Sequence, residues 1–298
     1  MLFVRLLLIL FVLWYTAIAN AKDHVRLPNV MGSSDPLAYQ FELTAIKAAL
    51  EATVADFGEY EVSHHPRFMP RARLLKELAS GNLVNVAPAP TRTEWEDQVT
   101  PIYFPLRKGT LGFRIFLIHK NSKALFSKID SIASLKKLSA GQDYSWSSGI
   151  RMRSLGFQIY SDTSVKRFYD MLNHARYDYY PKAIYEARRD AKKIALSHPN
   201  IIVEETKMLL LFQPLYIFVS PGEERLTKRM RTGIWRIHHN GVFDKIFANF
   251  HDIKQMKKDV EKRQILNTIS PQDLFKHPAF TDPNLWFYGW PESTAPHL

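Results

Sequence analysis

The chain has 298 residues, 46% of them apolar and 23% charged, which allows one or two domains with a sizeable core. That balance excludes a disordered chain, a collagen-like fibre and a multi-span membrane protein. Forty Lys and Arg against 29 Asp and Glu give a net charge of +11, and the absence of cysteine excludes disulfides, thiolate nucleophiles and cysteine-held metal centres.

Residues 1–21 read as a secretory signal peptide. Arg5 marks the basic start, Leu6 to Ala19 form the apolar run, and Ala17, Ala19 and Ala21 supply small residues for cleavage. The run is short for a membrane span, which needs about 20 residues. A cleaved signal and a periplasmic location are therefore expected. A lipoprotein carries a Cys just after its signal, so no lipid anchor is expected.

Asp35 and Pro36 open a helix, as cap and first-turn residue. Phe41, Ala45, Ile46, Ala49, Leu50 and Val54 keep helical spacing up to Gly58. Tyr60 to His64 is a short strand. Arg71 to Ser80 is a helix closed by Gly81. Leu83 to Ala87 is a buried strand bounded by Pro88 and Pro90, and Phe113 to Ile118 is another strand. Ser131 to Leu138 reads as a short helix, Met152 to Leu155 as a helical turn and Phe157 to Tyr160 as a strand. Ser164 to Asn173 is helical, with Val165, Phe168, Met171 and Leu172 on one face. Tyr177 to Tyr180 is a strand, Ala183 to Ser197 a helix and Ile201 to Val203 a strand. Met208 to Phe212 and Leu215 to Val219 read as a strand pair. Glu223 to His239 and Val242 to about Lys262 are helices. This alternation implies an α/β fold. In the tail, Phe280, Trp286, Phe287, Tyr288 and Trp290 read as rings packed on the body, or as a partner-docking patch.

Catalytic signals are missing. There is no G-x-S-x-G, P-loop, G-x-G-x-x-G or H-E-x-x-H. The pairs His64-His65 and His238-His239 are adjacent residues, which point different ways and make no metal face. Glu204-Glu205 and Glu223-Glu224 are adjacent too, so no two carboxylates flank a cleft. Neither an enzyme, a cofactor nor a bound metal is expected. The basic charge is spread along the chain; it would attract anionic headgroups or polyanions, and no nucleic-acid motif is present.

Several segments, taken in order, carry a resemblance. Arg73 to Leu83 is a helix ending in Gly before a strand, and Val86 to Thr93 is the loop region after it. Gly109 to Lys120 supplies a crossover strand. Ser131 to Leu135 with Ala140-Gly141-Gln142, then Arg176 to Tyr180, and Gly241 to Phe247 complete the series. Together these resemble the family 3 extracytoplasmic solute-binding proteins, the periplasmic proteins related to amino-acid receptors of ABC importers. The resemblance implies a two-lobe type 2 periplasmic binding protein fold with two crossover hinge strands. Lobe 1 would be residues 22–112 plus 210–298, and lobe 2 residues 113–209.

It also implies ligand capture in an interlobe cleft, beyond the carboxyl ends of strands. The candidate contacts are Thr91 and Arg92, then Gln142, Asp143, Tyr144 and Trp146, and then Tyr180 and Lys182. Aromatic residues would stack on the ligand, and Arg92 or Lys182 would suit an anionic group. Two departures bear on the ligand. Glu96 stands where amino-acid receptors carry the Arg of a T-x-x-R pattern, and no acid follows the Tyr180 strand until Glu186. A small molecule other than a standard amino acid is expected, bound by a monomer that serves an ABC permease. The alternative is a periplasmic sensor or interaction protein on the same fold.

Overall fold

The computed structural model describes residues 22–29, 35–162, 164–270 and 282–289. Residues 1–21, read above as a signal peptide, lie outside them, as do Phe280 and Trp290. The strands, in chain order, are β1 (Asp23–Asn29), β2 (Tyr60–Phe68), β3 (Val86–Pro90), β4 (Thr100–Ile102), β5 (Phe113–His119), β6 (Ser139–Gly141), β7 (Gln158–Tyr160), β8 (Tyr179–Ala183), β9 (Ile201–Val203), β10 (Lys207–Leu210), β11 (Leu215–Val219) and β12 (Gln264–Asn267). The longer helices are α1 (Pro36–Glu51), α2 (Arg71–Ser80), α3 (Ser147–Ser154), α4 (Val165–Asn173), α5 (Ala187–Ile194), α6 (Glu224–His239), α7 (Val242–Phe250) and α8 (Ile253–Lys262).

The chain gathers into two compact units. The first holds the chain up to Pro88 with Thr93–Ile102 and Ile217–Phe250; the second holds Ala89–Arg92, Tyr103–Tyr216 and the chain from His251. These contact units and the expected lobes differ mainly around the crossovers and after Phe250.

In the first unit β1 and β2 pair in parallel, with α1 between them in sequence. Sequence reading offered no strand at β1, because Asp23, His24, Arg26 and Pro28 mask the two buried aliphatic residues, Val25 and Leu27; Pro28 is buried as well. Asn85 fixes this strand: its N–H donates to Arg26 O at 3.0 Å, and its Oδ1 accepts from Arg26 N at 2.7 Å. Helix α1 starts as expected, with Asp35 accepting from Ala38 N at 3.2 Å. Its apolar face, Phe41, Ala45, Ile46, Ala49 and Leu50, is buried. Helix α2 ends at Gly81 with φ +67°, the left-handed cap that only glycine adopts cheaply. Helices α1 and α6 approach so closely that a Cβ on Gly233 would stand 2.1 Å from Ala49 O.

Strands β3, β11 and β4 form a three-stranded sheet in that order. Strand β3 runs on through Pro88 and Pro90, beyond the expected end at Ala87. It is an edge strand, where a missing N–H costs no ladder bond.

The second unit is built on a seven-stranded mixed sheet, ordered β12-β10-β5-β8-β6-β7, with β9 also pairing β5. Strand β5 is antiparallel to β8, β9 and β10; β6 is parallel to β7 and β8, and β10 to β12. One end of the sheet therefore gathers the start of β5 and the carboxyl ends of β6, β7, β8, β10 and β12. Phe116, Ile118, Phe126, Leu135, Met152 and Tyr179 form the core on one face. Burying each such side chain stabilises the fold by roughly 1.5–3 kcal/mol.

Strands β10 and β11 do not pair; they lie in different sheets, separated at Gln213 and at Pro214, which has no N–H to donate. Strand β8 continues to Ala183 because Pro181, Lys182 and Ala183 stay in register with Phe116, Ile115 and Arg114 of β5. The helix expected from Ala183 accordingly starts at Ala187. The long helix after Gly241 is broken at His251, and Asp252 recaps it by accepting from Gln255 N at 2.9 Å.

In the tail, Leu285, Trp286 and Phe287 are buried. Phe287 N donates to Lys108 O at 2.8 Å, Lys108 Nζ donates to Asn284 O at 3.0 Å, and the Phe287 ring meets Phe113 edge-on at 6.2 Å. Of the described tail rings, Trp286 and Phe287 pack on the body and Tyr288 is exposed. Among the described residues no helix is long and apolar enough to cross a membrane.

Candidate functional site

The loop after β6 starts with Gln142, which is buried and held at both ends of its amide. Its Nε2 donates to Pro181 O at 2.9 Å, and its Oε1 accepts from Ser148 Oγ at 2.8 Å. Asp143 shapes the next turn, its Oδ1 accepting from Ser145 N at 2.7 Å and Ser145 Oγ at 2.6 Å. Tyr144 is 59% exposed, with the Arg153 guanidinium 4.4 Å from its ring centroid. Trp146 precedes α3 and is half-buried, tilted against Phe168 at 5.9 Å.

Tyr180 and Lys182 lie on the same face of β8, two residues apart. Tyr180 is fully buried, stacked on Phe168 at 5.3 Å, and its hydroxyl has no hydrogen-bond partner among the described residues. Burial is the main reason its pKa is pushed up to about 12, against the pull of Lys182. Lys182 is buried in a strand rather than solvated at a helix start. Its Nζ pairs with Glu186 at 2.9 Å and Asp190 at 2.8 Å. Burial alone would lower its pKa, yet the surrounding groups, Glu186 first, raise it well above the ordinary value. Burial likewise acts to raise Glu186, and Lys182 outweighs it and holds that carboxyl below its usual range. Tyr169 donates its hydroxyl to Asp190 Oδ2 at 2.9 Å. The positive charge of Lys182 is thus answered within the protein.

Thr91 and Arg92 follow β3 and are half-buried. Thr91 N donates to Pro214 O at 2.9 Å. The residue before that proline, Gln213, accepts from Arg114 Nη2 at 2.5 Å. Gln142, Tyr180 and Lys182 are therefore brought together around Pro181, with Asp143 to Trp146 on the following turn. Thr91 joins the same unit through the Gln213–Pro214 segment. Glu96 is half-buried on a short helix, Thr93–Glu96, which is anchored by Trp95 against Phe218 at 5.2 Å.

Sequence reading missed Arg114, Arg107 and Gln213. The one signal was a charged residue inside the apolar run Phe113 to Ile118, where only a buried or functional role suits it.

No family model matches the chain, and no curated protein matches it. Solved structures do. An ancestral arginine-binding protein bound to arginine is 15% identical, with a TM-score of 0.53 over 78% of this chain and 99% of that one. An ABC-transporter binding component from Wolinella succinogenes complexed with lysine is 11% identical, with a TM-score of 0.56 over 78% and 97%. A histidine kinase sensor domain with similarity to periplasmic binding proteins is 13% identical, with a TM-score of 0.53 over 77% and 95%. The chain has the type 2 periplasmic binding protein fold. In this binding-protein fold the sheet end that gathers strand carboxyl ends is where open α/β sheets take ligands. Gln142, Lys182 and Arg114 all lie at that end in the second unit.

Proposed function

We propose that the protein is an exported solute-binding protein that captures a small molecule for an ABC importer, without catalysis. The observation that carries this reading is the shared fold, which spans 77–78% of this chain and 95–99% of the binding and sensor proteins above. Residues 1–21 act as a cleaved signal peptide, and the crossovers at β5 and β10 act as hinges. Thr91, Arg92, Asp143, Tyr144 and Trp146 are the ligand contacts, with Gln142, Tyr180 and Lys182 holding the floor behind them. Glu96 would repel an α-carboxylate where the resemblance calls for Arg, so standard amino acids are poor ligands. A thermal-shift screen of metabolites on the purified chain tests this, because a ligand that binds only the folded state raises its apparent stability. A non-amino-acid hit is expected. Micromolar binding of an ordinary amino acid overturns the ligand assignment, and no hit of any class overturns solute binding.

One observation favours a second reading, sensing: the likeness to a histidine kinase sensor domain. A permease and ATPase encoded beside the gene supports import; a signalling protein there supports sensing.

A further inference from the structure

Three cationic side chains are buried at the ligand end of the second unit's sheet: Arg107, Arg114 and Lys182. Lys182 has Glu186 and Asp190, at 2.9 and 2.8 Å. Arg107 donates to the Tyr185 hydroxyl, and its guanidinium lies 5.2 Å from that ring's centroid. Tyr185 in turn meets the buried ring of His251 edge-on at 5.3 Å.

Arg114 is served differently. Its Nη2 donates to the neutral Gln213 amide, and its Nε is buried without a hydrogen-bond partner among the described residues. Burial dominates its electrostatics and Glu186 opposes that effect, but the Glu186 carboxylate is already bound to Lys182. A buried charge ordinarily has a charged or fully hydrogen-bonded partner, because leaving one uncompensated costs several kcal/mol. Lys182 thus has two carboxylates where Arg114 has a neutral amide, and a second buried polar group beside Lys182, the Tyr180 hydroxyl, has no hydrogen-bond partner among the described residues.

We propose that Arg114 binds the anionic group of the captured solute, an oxyanion such as a carboxylate or a phosphate. This rests on the solute-binding reading above and names the class of its ligand. A guanidinium fork matches the two oxygens of either group. It supplies the anion contact that Lys182, neutralised by its own carboxylates, does not. The start of β5 places this contact at the sheet end where the other candidates gather.

The test uses the full chain with acetate, succinate, benzoate and inorganic phosphate, each at fixed ionic strength, and with acetamide, succinamide and benzamide as neutral counterparts. Thermal shifts from one or more of the acids, and none from the amides, are expected. The carboxylate and phosphate arms decide between the two oxyanions. Arg114→Gln should weaken the best acid by at least about tenfold. If Arg114→Gln does not fold, Arg114→Lys decides. It keeps the charge but not the fork, and affinity should fall several-fold; unchanged affinity overturns the proposal. A wider screen separates the two failures. A neutral metabolite that binds wild type and Arg114→Gln equally removes the anion site and leaves solute binding intact. No binder in either screen removes both.

Discussion

Arg229 donates from Nη1 to Asp23 Oδ2 at 2.8 Å, joining α6 to the first residue of β1. The Arg229 side chain is fully buried and also donates to the carbonyls of Leu50, Gly58 and Glu59 and to the Thr53 hydroxyl. One guanidinium thus closes the end of α1, the turn after it and the first strand. Arg229→Met keeps the stem but takes the donor from the Gly58 carbonyl, while the Glu59 and Leu50 carbonyls keep Asp23 N and Thr53, and it leaves Asp23 to Arg225, whose Nε is at 2.9 Å. Breaking a buried pair from one side costs about 3–5 kcal/mol. Urea unfolding should show that loss, and a change under about 1 kcal/mol would mean the hub is redundant.

Gly233→Ala gives a prediction of sign. In an exposed helix interior that change stabilises by about 0.5–1 kcal/mol. Here the new Cβ would meet Ala49 O at 2.1 Å, so α1 and α6 must move apart. Overpacking of this kind costs about 1–3 kcal/mol. The melting temperature should therefore fall, and a rise would contradict the helix contact.

Acid should act on the cluster around Asp259. Its carboxylate accepts from Arg188 Nη2 at 2.6 Å and Arg263 Nη1 at 2.5 Å. Burial works to raise its pKa, and the two arginines outweigh burial and hold it below the usual carboxylate range. A folded pKa below the unfolded one contributes stability above the unfolded value, about 3.9 for Asp. That contribution is lost as pH falls through the folded pKa. Glu186 adds in the same direction. Stability should decline as pH drops below about 4. Asp259→Asn should cost about 3 kcal/mol or more at pH 7 and flatten the acid limb. A variant with the wild-type acid slope would assign that slope to other groups.

Arg92→Ala separates a ligand contact from a surface ion pair. Pro88 and Pro90 stiffen the backbone before it, which suits a preorganised site. Loss of a ligand contact should weaken binding of the screen's best hit by at least about tenfold, roughly 1.4 kcal/mol, with little change in the melting point. Marked destabilisation with unchanged affinity would make Arg92 structural.

Local signals were the readable ones. Helix α2 with its Gly81 cap and strand β9 fall where their residues predict, because caps and short apolar runs are written in adjacent positions. The order of segments also carried the fold class. Strand β1 was hidden because its two buried aliphatic residues alternate with charges, and its support comes from Asn85, some sixty residues away. The end of β8 was hidden because pairing with β5 overrides the breaking tendency of Pro181. At the candidate site, the aromatic and amide residues were legible but their partners were not. Lys182 reads as a free cation until α5 brings in Asp190, and Arg114 reads as a stray charge until Gln213 arrives from 99 positions on.

Strand β12, near the far end of the chain, forms the outer edge of the seven-stranded sheet beside β10. A ribosome, making the chain from its N-terminus, completes β10 long before β12. Until residues 264–267 emerge, β10 presents a bare ladder edge that pairs with whatever strand is at hand. The first unit waits in the same way, since Asp23 is synthesised some two hundred residues ahead of Arg229. The first unit has all its segments only once Phe250 is made, and the second only after β12. Both units therefore depend on slow, non-local pairings made late in synthesis.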